Sequence, residues 1–536
     1  TLPKVRKVLN GVKIKEEDIK KLEVGITNYR EIAEKIQTVN ISDIITVLLA
    51  GAMKLNVSDI HIEAEENDIM IRYRIDGVLY DIGTLAKKQW KKIISRLKML
   101  AKVKINVDDK PQDGRFSIYL ENKKTEVRVS FLPTGFGESV VMRLLHPDSI
   151  GLSFEKLGIM DRAFKKLSAE IKKPNGMILT TGPTGSGKTT TLYSVLNKLN
   201  TPEIKLVTLE DPIEYQLKGI NQSQVDPSRD YTFAKGLRSI LRQDPDIVMV
   251  GEIRDLETAE IAIHASLTGH LVLSTLHTND SSGVIPRLVD MGVRPYFLSP
   301  AINAIIGQRL VRKLCPDCRV EHTLTSAERE QVDKILSVIS PKAKIDIPLH
   351  LPKLYKVGEG CKTCGDIGYK GRIGIYEIFT MTDKVKTLVT EEAAAFKILQ
   401  EVIEEGMVTM LQDGVLKAMQ GVTSLDEVYS VIGKFEYIDA LYDIVIRDII
   451  GRGISIVKED IEQAEALAKN IRNISDTIEE LSTERLIYVT MATAVKALAG
   501  DVHIEPTEKG ASIRFRIDGM MHDVAHIKKD QYIQML

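Results

Sequence analysis

The sequence predicts an α/β protein with a parallel central sheet and a smaller α/β unit on its N-terminal side. Three features predict this. Four short apolar runs, Met177–Thr180, Lys205–Leu209, Ile247–Val250 and Leu271–Ser274, alternate with helical stretches, the pattern of strands buried on both faces. A glycine-rich loop follows the first of these runs. A pattern near the N-terminus also returns near the C-terminus.

The N-terminal unit begins with helical spacing through Ile44, Ile45, Val47, Leu48 and Ala52. Two strands follow, because Ile60 and Ile62, and then Ile71, Tyr73 and Ile75, alternate with polar neighbours. Asp76-Gly77 is a hairpin turn signal. An amphipathic helix comes next, with Trp90, Ile93, Ile94, Leu97 and Leu100 facing inward. From Lys87 to Lys104 there are eight Lys or Arg and no acid. This reads as a solvated helix face, with a contact to a like neighbour, DNA or anionic lipid as the alternatives.

The repeat has a fixed offset of 442. Ser58-Asp59-Ile60-His61-Ile62-Glu63 returns as Gly500-Asp501-Val502-His503-Ile504-Glu505, and Ile71 to Gly77 returns as Ile513 to Gly519. From Asp59 to Ile82, 12 of 24 positions are identical without a gap. The second copy stops at Leu536, the counterpart of Ile94, in mid-helix. Two expectations follow: a piece of a longer natural chain, or a module that docks on a neighbouring subunit. Thr1 is no initiator Met, which fits a trimmed chain.

The loop Gly182-Pro183-Thr184-Gly185-Ser186-Gly187-Lys188-Thr189 matches G-x-x-x-x-G-K-[ST] between a strand and a helix running from Thr190 to Leu199. Glycines let successive backbone N–H groups face phosphate oxygens, and the helix N-terminus adds positive potential. Lys188 is expected on the β/γ-phosphates and the Thr189 hydroxyl on Mg²⁺. Residues 182–190, including Thr190, are therefore the candidate nucleotide site, with ATP and Mg²⁺ as ligands.

Phosphoryl transfer also needs a group to orient water and ligands to hold the metal. Ligand crevices lie at the carboxyl ends of parallel strands. Glu210, Asp211 and Glu214 follow one strand, and Gly251-Glu252 follows another. Glu252 has the position of the residue that orients the attacking water, and Glu210 that of a Mg²⁺ ligand acting through water. His277 ends the fourth strand, either as a γ-phosphate sensor or as a structural hydrogen-bonder.

The four cysteines form two C-x₂-C pairs, Cys315/Cys318 and Cys361/Cys364. That arrangement suits a tetrahedral Cys₄ zinc site, with redox chemistry as the alternative. Seventy-three basic residues against 74 acidic ones leave a net charge of −1, which gives no global sign of nucleic-acid binding. No apolar run reaches the roughly 18–20 residues of a membrane span, and no signal peptide is expected.

These motifs together resemble the secretion and pilus-assembly ATPases of the type II/type IV pilus class. Leu209-Glu210-Asp211-Pro212-Ile213-Glu214-Tyr215 resembles their aspartate box. Arg242 to Asp246, with Val250-Gly251-Glu252-Ile253-Arg254-Asp255, resembles their Walker B. Gly269-His270-Leu271 through Leu276-His277-Thr278-Asn279-Asp280 resembles their histidine box. Ser58 to Glu63 resembles the start of their second N-terminal domain. The likeness covers about residues 40 to 436.

The resemblance implies a RecA-like P-loop core preceded by a PAS-like α/β domain, assembled as a homohexameric ring. It implies ATP-driven closure of the N-terminal domain, which would bring Arg115 and Arg128 against the phosphates. It implies a cytoplasmic motor, peripheral at the inner membrane, that acts on a platform protein. The cysteine motif points to assembly or export rather than retraction. The expected divisions are a PAS-like domain with leading helices at 1–149, a RecA-like core at 150–310 and a tetracysteine zinc segment at 311–372. A helical subdomain at 373–436, a helical connector at 437–480 and a partial repeat at 481–536 complete the chain. Pilus assembly, type II secretion and, behind them, a nucleic-acid translocase remain open.

Overall fold

A computed structural model of the chain describes residues 11–13, 28–120, 123–146, 153–345, 353–433, 464, 467–468 and 483–535. The chain forms two compact units that divide after Ile438.

The N-terminal layer of the first unit has seven strands: β1 (Gly11–Lys13), β2 (Asp59–Ala64), β3 (Asp68–Ile75), β4 (Val78–Ala86), β5 (Gln112–Leu120), β6 (Lys123–Thr134) and β7 (Gly137–Leu145). They pair in the order β1-β5-β6-β7-β2-β3-β4. Period-two alternation sends Ile60, Ile62, Ile69, Ile71 and Tyr73 inward, where helices Tyr29–Thr38, Ile41–Lys54 and Trp90–Ala101 cover them. The turn between β3 and β4 is two residues long, with φ of 49° at Asp76 and 91° at Gly77. Positive φ at both central positions matches the right-handed twist of a tight hairpin, and glycine adopts it without strain.

The basic helix corrects one expectation. Trp90, Ile93, Ile94 and Leu97 are buried as predicted, but Lys98 is buried as well, at 1% exposed. Its ammonium lies 2.7 Å from Glu138 Oε1 and donates to the Val107 carbonyl at 2.5 Å. A buried charge persists only when paired and hydrogen-bonded, so Lys98 belongs to the core rather than to the solvated face.

The core sheet comprises β8 (Gly176–Thr181), β9 (Leu206–Glu210), β10 (Asn221–Gln224), β11 (Ile247–Val250), β12 (Leu271–Leu276), β13 (Ile302–Leu314) and β16 (Tyr369–Thr380). Its order is β10-β9-β11-β12-β8-β13-β16, with every neighbouring pair parallel except β13 and β16. All four predicted strands are present, buried along their whole length.

The expected divisions at 310/311 and 372/373 fall inside β13 and β16. These two strands pair over most of their length, so both belong to the core sheet. The cysteine segment is an insertion between them. It carries β14 (Val320–His322), the helix Ser326–Ser337 and β15 (Leu354–Lys356). Residues 373–380 are strand, and the expected helices begin at Asp383. The expected connector, 437–480, lies outside the described residues apart from 464 and 467–468.

The second unit has a helix, Thr483–Lys496, packed on β17 (Asp501–Thr507), β18 (Gly510–Ile517) and β19 (Met520–Lys528). Leu486, Ile513, Phe515 and Ile527 form its core. Asp501 pairs with Arg516 as Asp59 pairs with Arg74, and Ile517 pairs with Met520 as Ile75 pairs with Val78, both at the offset of 442. Among the described residues of the chain, no helix is long and apolar enough to cross a membrane.

Candidate active site

Parallel strands put the carboxyl ends of β8, β9, β11 and β12 on one edge of the core sheet. The glycine-rich loop leaves β8 there, and helix Lys188–Leu199 begins at its end. Gly182 has φ +145° and Gly187 φ +87°. A Cβ at Gly182 would sit 2.3 Å from the Gln308 carbonyl, and one at Gly187 2.8 Å from Gln308 Nε2. Two of the loop glycines are thus required by the neighbouring strand as well as by a phosphate.

Gln308, on β13, was not singled out in the sequence. It is 1% exposed; its Nε2 donates to the Ser186 carbonyl at 2.8 Å and its Oε1 accepts from Thr191 Oγ1 at 2.7 Å. It ties the loop to the first turn of its helix. The available signal was Gln308 inside the mostly apolar stretch Ile302–Val311, since a buried amide requires partners.

Lys188 donates to the carbonyls of Gly182, at 2.7 Å, and Pro183, at 3.1 Å. Burial pulls its pKa down, and the Glu252 carboxylate acts in the opposite sense. Ser186 Oγ is buried without a hydrogen-bond partner among the described residues. An ammonium held within the loop and an orphaned hydroxyl both fit a phosphate ligand.

Glu252 is positioned by its turn. Gly251 N–H donates to the Leu209 carbonyl at 2.7 Å, Ile253 N–H to the Thr275 carbonyl at 3.0 Å, and Thr275 Oγ1 to the Gly251 carbonyl at 2.8 Å. The side chain, 13% exposed, lies 2.5 Å from Arg254 Nη2 and 3.3 Å from His277 Nε2. Asp255 then caps the next helix by accepting from Thr258 N–H at 2.8 Å. The histidine segment is tied to β8, because Thr278 N–H donates to Thr181 Oγ1 at 2.9 Å. The P-loop, Glu252 and His277 therefore share one sheet edge.

Glu210 has a different setting. It is 2% exposed and accepts from Tyr193 Oη, Thr208 Oγ1 and Gln222 Nε2. Burial and the adjoining carboxylate push the Tyr193 phenol far above its ordinary pKa. Thr189 and Thr190 are half-buried at the start of the P-loop helix.

Arg115 and Arg128 face each other across β5 and β6. Arg128 donates from Nη1 to Glu214 at 3.1 Å and from Nη2 to the Ile213 carbonyl. Both arginines line a cleft of about 860 Å³ whose other wall is Pro212 to Gln216 and Gln224. The P-loop does not line this cleft.

The four cysteine sulfurs lie within 4.8 Å of one another, and none is in a disulfide. Sγ–Sγ distances are 3.7 Å for Cys315–Cys361 and 3.8 Å for Cys318–Cys364 and Cys361–Cys364. Four sulfurs at about 2.3 Å from one Zn²⁺ would form a tetrahedron with edges of about 3.8 Å. Backbone N–H groups around Cys364 lower the Cys361 thiol to about 7, while burial raises the thiols of Cys315 and Cys318. The cluster could hold zinc.

A strand-loop-helix phosphate cradle at the end of a parallel sheet, with an acid at the end of the strand two places away, defines a P-loop nucleotide hydrolase. More narrowly, the chain belongs to the type II/IV secretion system protein family, whose model matches residues 34–430 and 476–536. Among its relatives is the type II secretion system protein E of Dickeya dadantii, 45% identical over 388 residues, 72% of this chain and 75% of that protein. The type IV pilus assembly ATPase PilB of Myxococcus xanthus is 43% identical over 413 residues, 77% of this chain and 71% of that protein. The fold is similar to the Yersinia pseudotuberculosis ATPase DotB, with a TM-score of 0.51 and 20% identity over 76% of this chain and 95% of that one. The relatives are secretion and pilus ATPases, so this chain is of the secretion or pilus motor ATPase class.

Proposed function

We propose that this chain hydrolyses ATP at the Lys188 loop and uses the work to drive type IV pilin assembly through an inner-membrane platform protein. The observation that carries the hydrolytic reading is Glu252, which sits between His277 and Arg254 on the P-loop edge of the sheet. In this reading residues 182–190 wrap the phosphates and Lys188 leaves its loop carbonyls for the β/γ-phosphates. Glu252 orients the water. His277 fixes Glu252 and senses the γ-phosphate. Thr189 would hold Mg²⁺, with Glu210 reaching it through water; the ion would neutralise phosphate charge.

The N-terminal layer closes over the nucleotide, and Arg115 and Arg128 then meet the phosphates. For Arg128 this means exchanging Glu214 and the Ile213 carbonyl for an anion of higher charge. The working form is a homohexamer in the cytoplasm, attached to the inner membrane through its partners. Cys315, Cys318, Cys361 and Cys364 hold Zn²⁺ and staple the insertion between β13 and β16. Residues 1–149 are the PAS-like domain, the core is RecA-like, and residues 481–536 are a partial second copy of the first. The shared register at an offset of 442 supports that last assignment.

Type II secretion is the second reading, favoured by relatives that carry that name. A nucleic-acid translocase is disfavoured by the net charge of −1. A deletion strain scored for surface pili and for secreted enzymes tests the assignment. Loss of pili with secretion intact supports pilus assembly, and the reverse result replaces it with export.

A further inference from the structure

The arginine row of the N-terminal layer has a third member. The register sets Arg115 opposite Arg128, and Arg128 opposite Arg143 on β7. Adjacent strands lie about 4.8 Å apart, so the three positions span about 10 Å across one face. Like charges directly opposite one another destabilise a sheet, and a row of three needs anions to offset it. All three arginines line the cleft that Pro212 to Gln216 closes on the other side.

Asp59 sets the geometry of Arg143. Asp59 lies on β2 as the register partner of Arg143, is 4% exposed, and accepts from Ser58 Oγ at 2.9 Å. Its other oxygen accepts from Arg143 Nε at 2.8 Å. The two terminal nitrogens of Arg143 have no partner among the described residues, and its side chain is 59% exposed. Arg128, by contrast, commits both terminal nitrogens to Glu214 and Ile213. A guanidinium gripped at Nε and open at its fork is preorganised for bidentate bonding to an oxyanion.

We propose that Arg143 is a third phosphate-binding arginine of the clamp, that Asp59 is its positioning residue, and that the ligand is the polyphosphate chain of ATP. The proposal rests on the reading that the N-terminal layer closes over the nucleotide with Arg115 and Arg128.

The test measures ATP affinity by calorimetry in the full chain carrying Glu252→Gln, so that turnover does not interfere. Arg143→Gln, Arg128→Gln, Asp59→Asn and the Asp59→Asn/Arg143→Gln double variant are compared well below their melting temperatures. Arg143→Gln is expected to weaken ATP binding at least about tenfold, as the loss of one charge-assisted bidentate contact does. Asp59→Asn is expected to weaken it severalfold when Arg143 is present and to add nothing when Arg143 is absent. A purely structural ion pair would lower the melting temperature and leave ATP affinity unchanged. That result for Arg143→Gln, with Arg128→Gln still weakening ATP, overturns the third arginine alone. If Arg128→Gln is also without effect, the clamp reading falls with it. Additive losses from Asp59→Asn and Arg143→Gln overturn the positioning role of Asp59.

Discussion

Glu252 Oε2 lies 3.3 Å from His277 Nε2, which joins the end of β11 to the end of β12. Neither residue has this meaning alone: a lone histidine after a strand is ordinarily a structural hydrogen-bonder. Placed beside an acid on the P-loop edge, it fixes, in the proposed mechanism, the carboxylate that orients the water. His277→Ala is expected to lower kcat by about 10- to 100-fold, within the range of acid–base and positioning effects. The ATP KM should stay within about twofold, since the lost contact acts on Glu252 and not on the loop. Steady-state ATPase kinetics check this.

Gln308 offers a separate test of how the loop is held. Gln308→Ala removes both of its side-chain bonds and leaves the Ser186 carbonyl and the Thr191 hydroxyl without them. Losing a buried partner costs about 1–3 kcal/mol. Both a lower melting temperature and a raised ATP KM are expected, because the loosened element is the phosphate cradle itself. Calorimetric unfolding and kinetics on one sample read the two effects together.

Lys98 and Glu138 form a pair buried to 1% and 7% exposure. Lys98→Ala leaves Glu138 charged without its partner in the interior. Breaking a buried pair costs about 3–5 kcal/mol, whereas a solvated lysine costs little. Thermal unfolding distinguishes the two cases, and Lys91→Ala on the exposed side of the same helix is the control.

The cysteine cluster is expected to carry about one zinc per chain, measured by elemental analysis of the purified protein. Cys364→Ser, or a strong chelator, should remove it, because structural zinc sites need all four ligands. Proteolysis should then cut within residues 316–368 first, since the insertion between β13 and β16 loses its staple. Full occupancy in Cys364→Ser would contradict the site.

Much of the core was legible because its signals are local. The four strands read from apolar runs formed where expected, as did the Asp76-Gly77 turn and the helix after the P-loop. What stayed hidden depended on partners distant in the chain. Lys98 looked solvated because nothing in its helix announces Glu138, 40 residues on. Residues 373–380 gave no strand signal separable from the helices that follow, since β16 is fixed there by pairing with β13, from Val311↔Ile373 to Ala304↔Thr380. Gln308 gains its role from hydrogen bonds to the P-loop and its helix, and Arg143 its proposed one from register across the sheet; a linear pattern contains neither. Glu210 reads in the sequence as a Mg²⁺ ligand acting through water, and its three donors, Tyr193, Thr208 and Gln222, are not legible there.

Glu252 is proposed to serve hydrolysis at the Lys188 loop. The most direct measurement pairs ATP binding with single-turnover hydrolysis in Glu252→Gln. The expected result is ATP affinity within about threefold of the parent, with hydrolysis slowed by at least about 10²-fold. Turnover at the parental rate would rule out this role, because the carboxylate between His277 and Arg254 would then have no part in the chemistry.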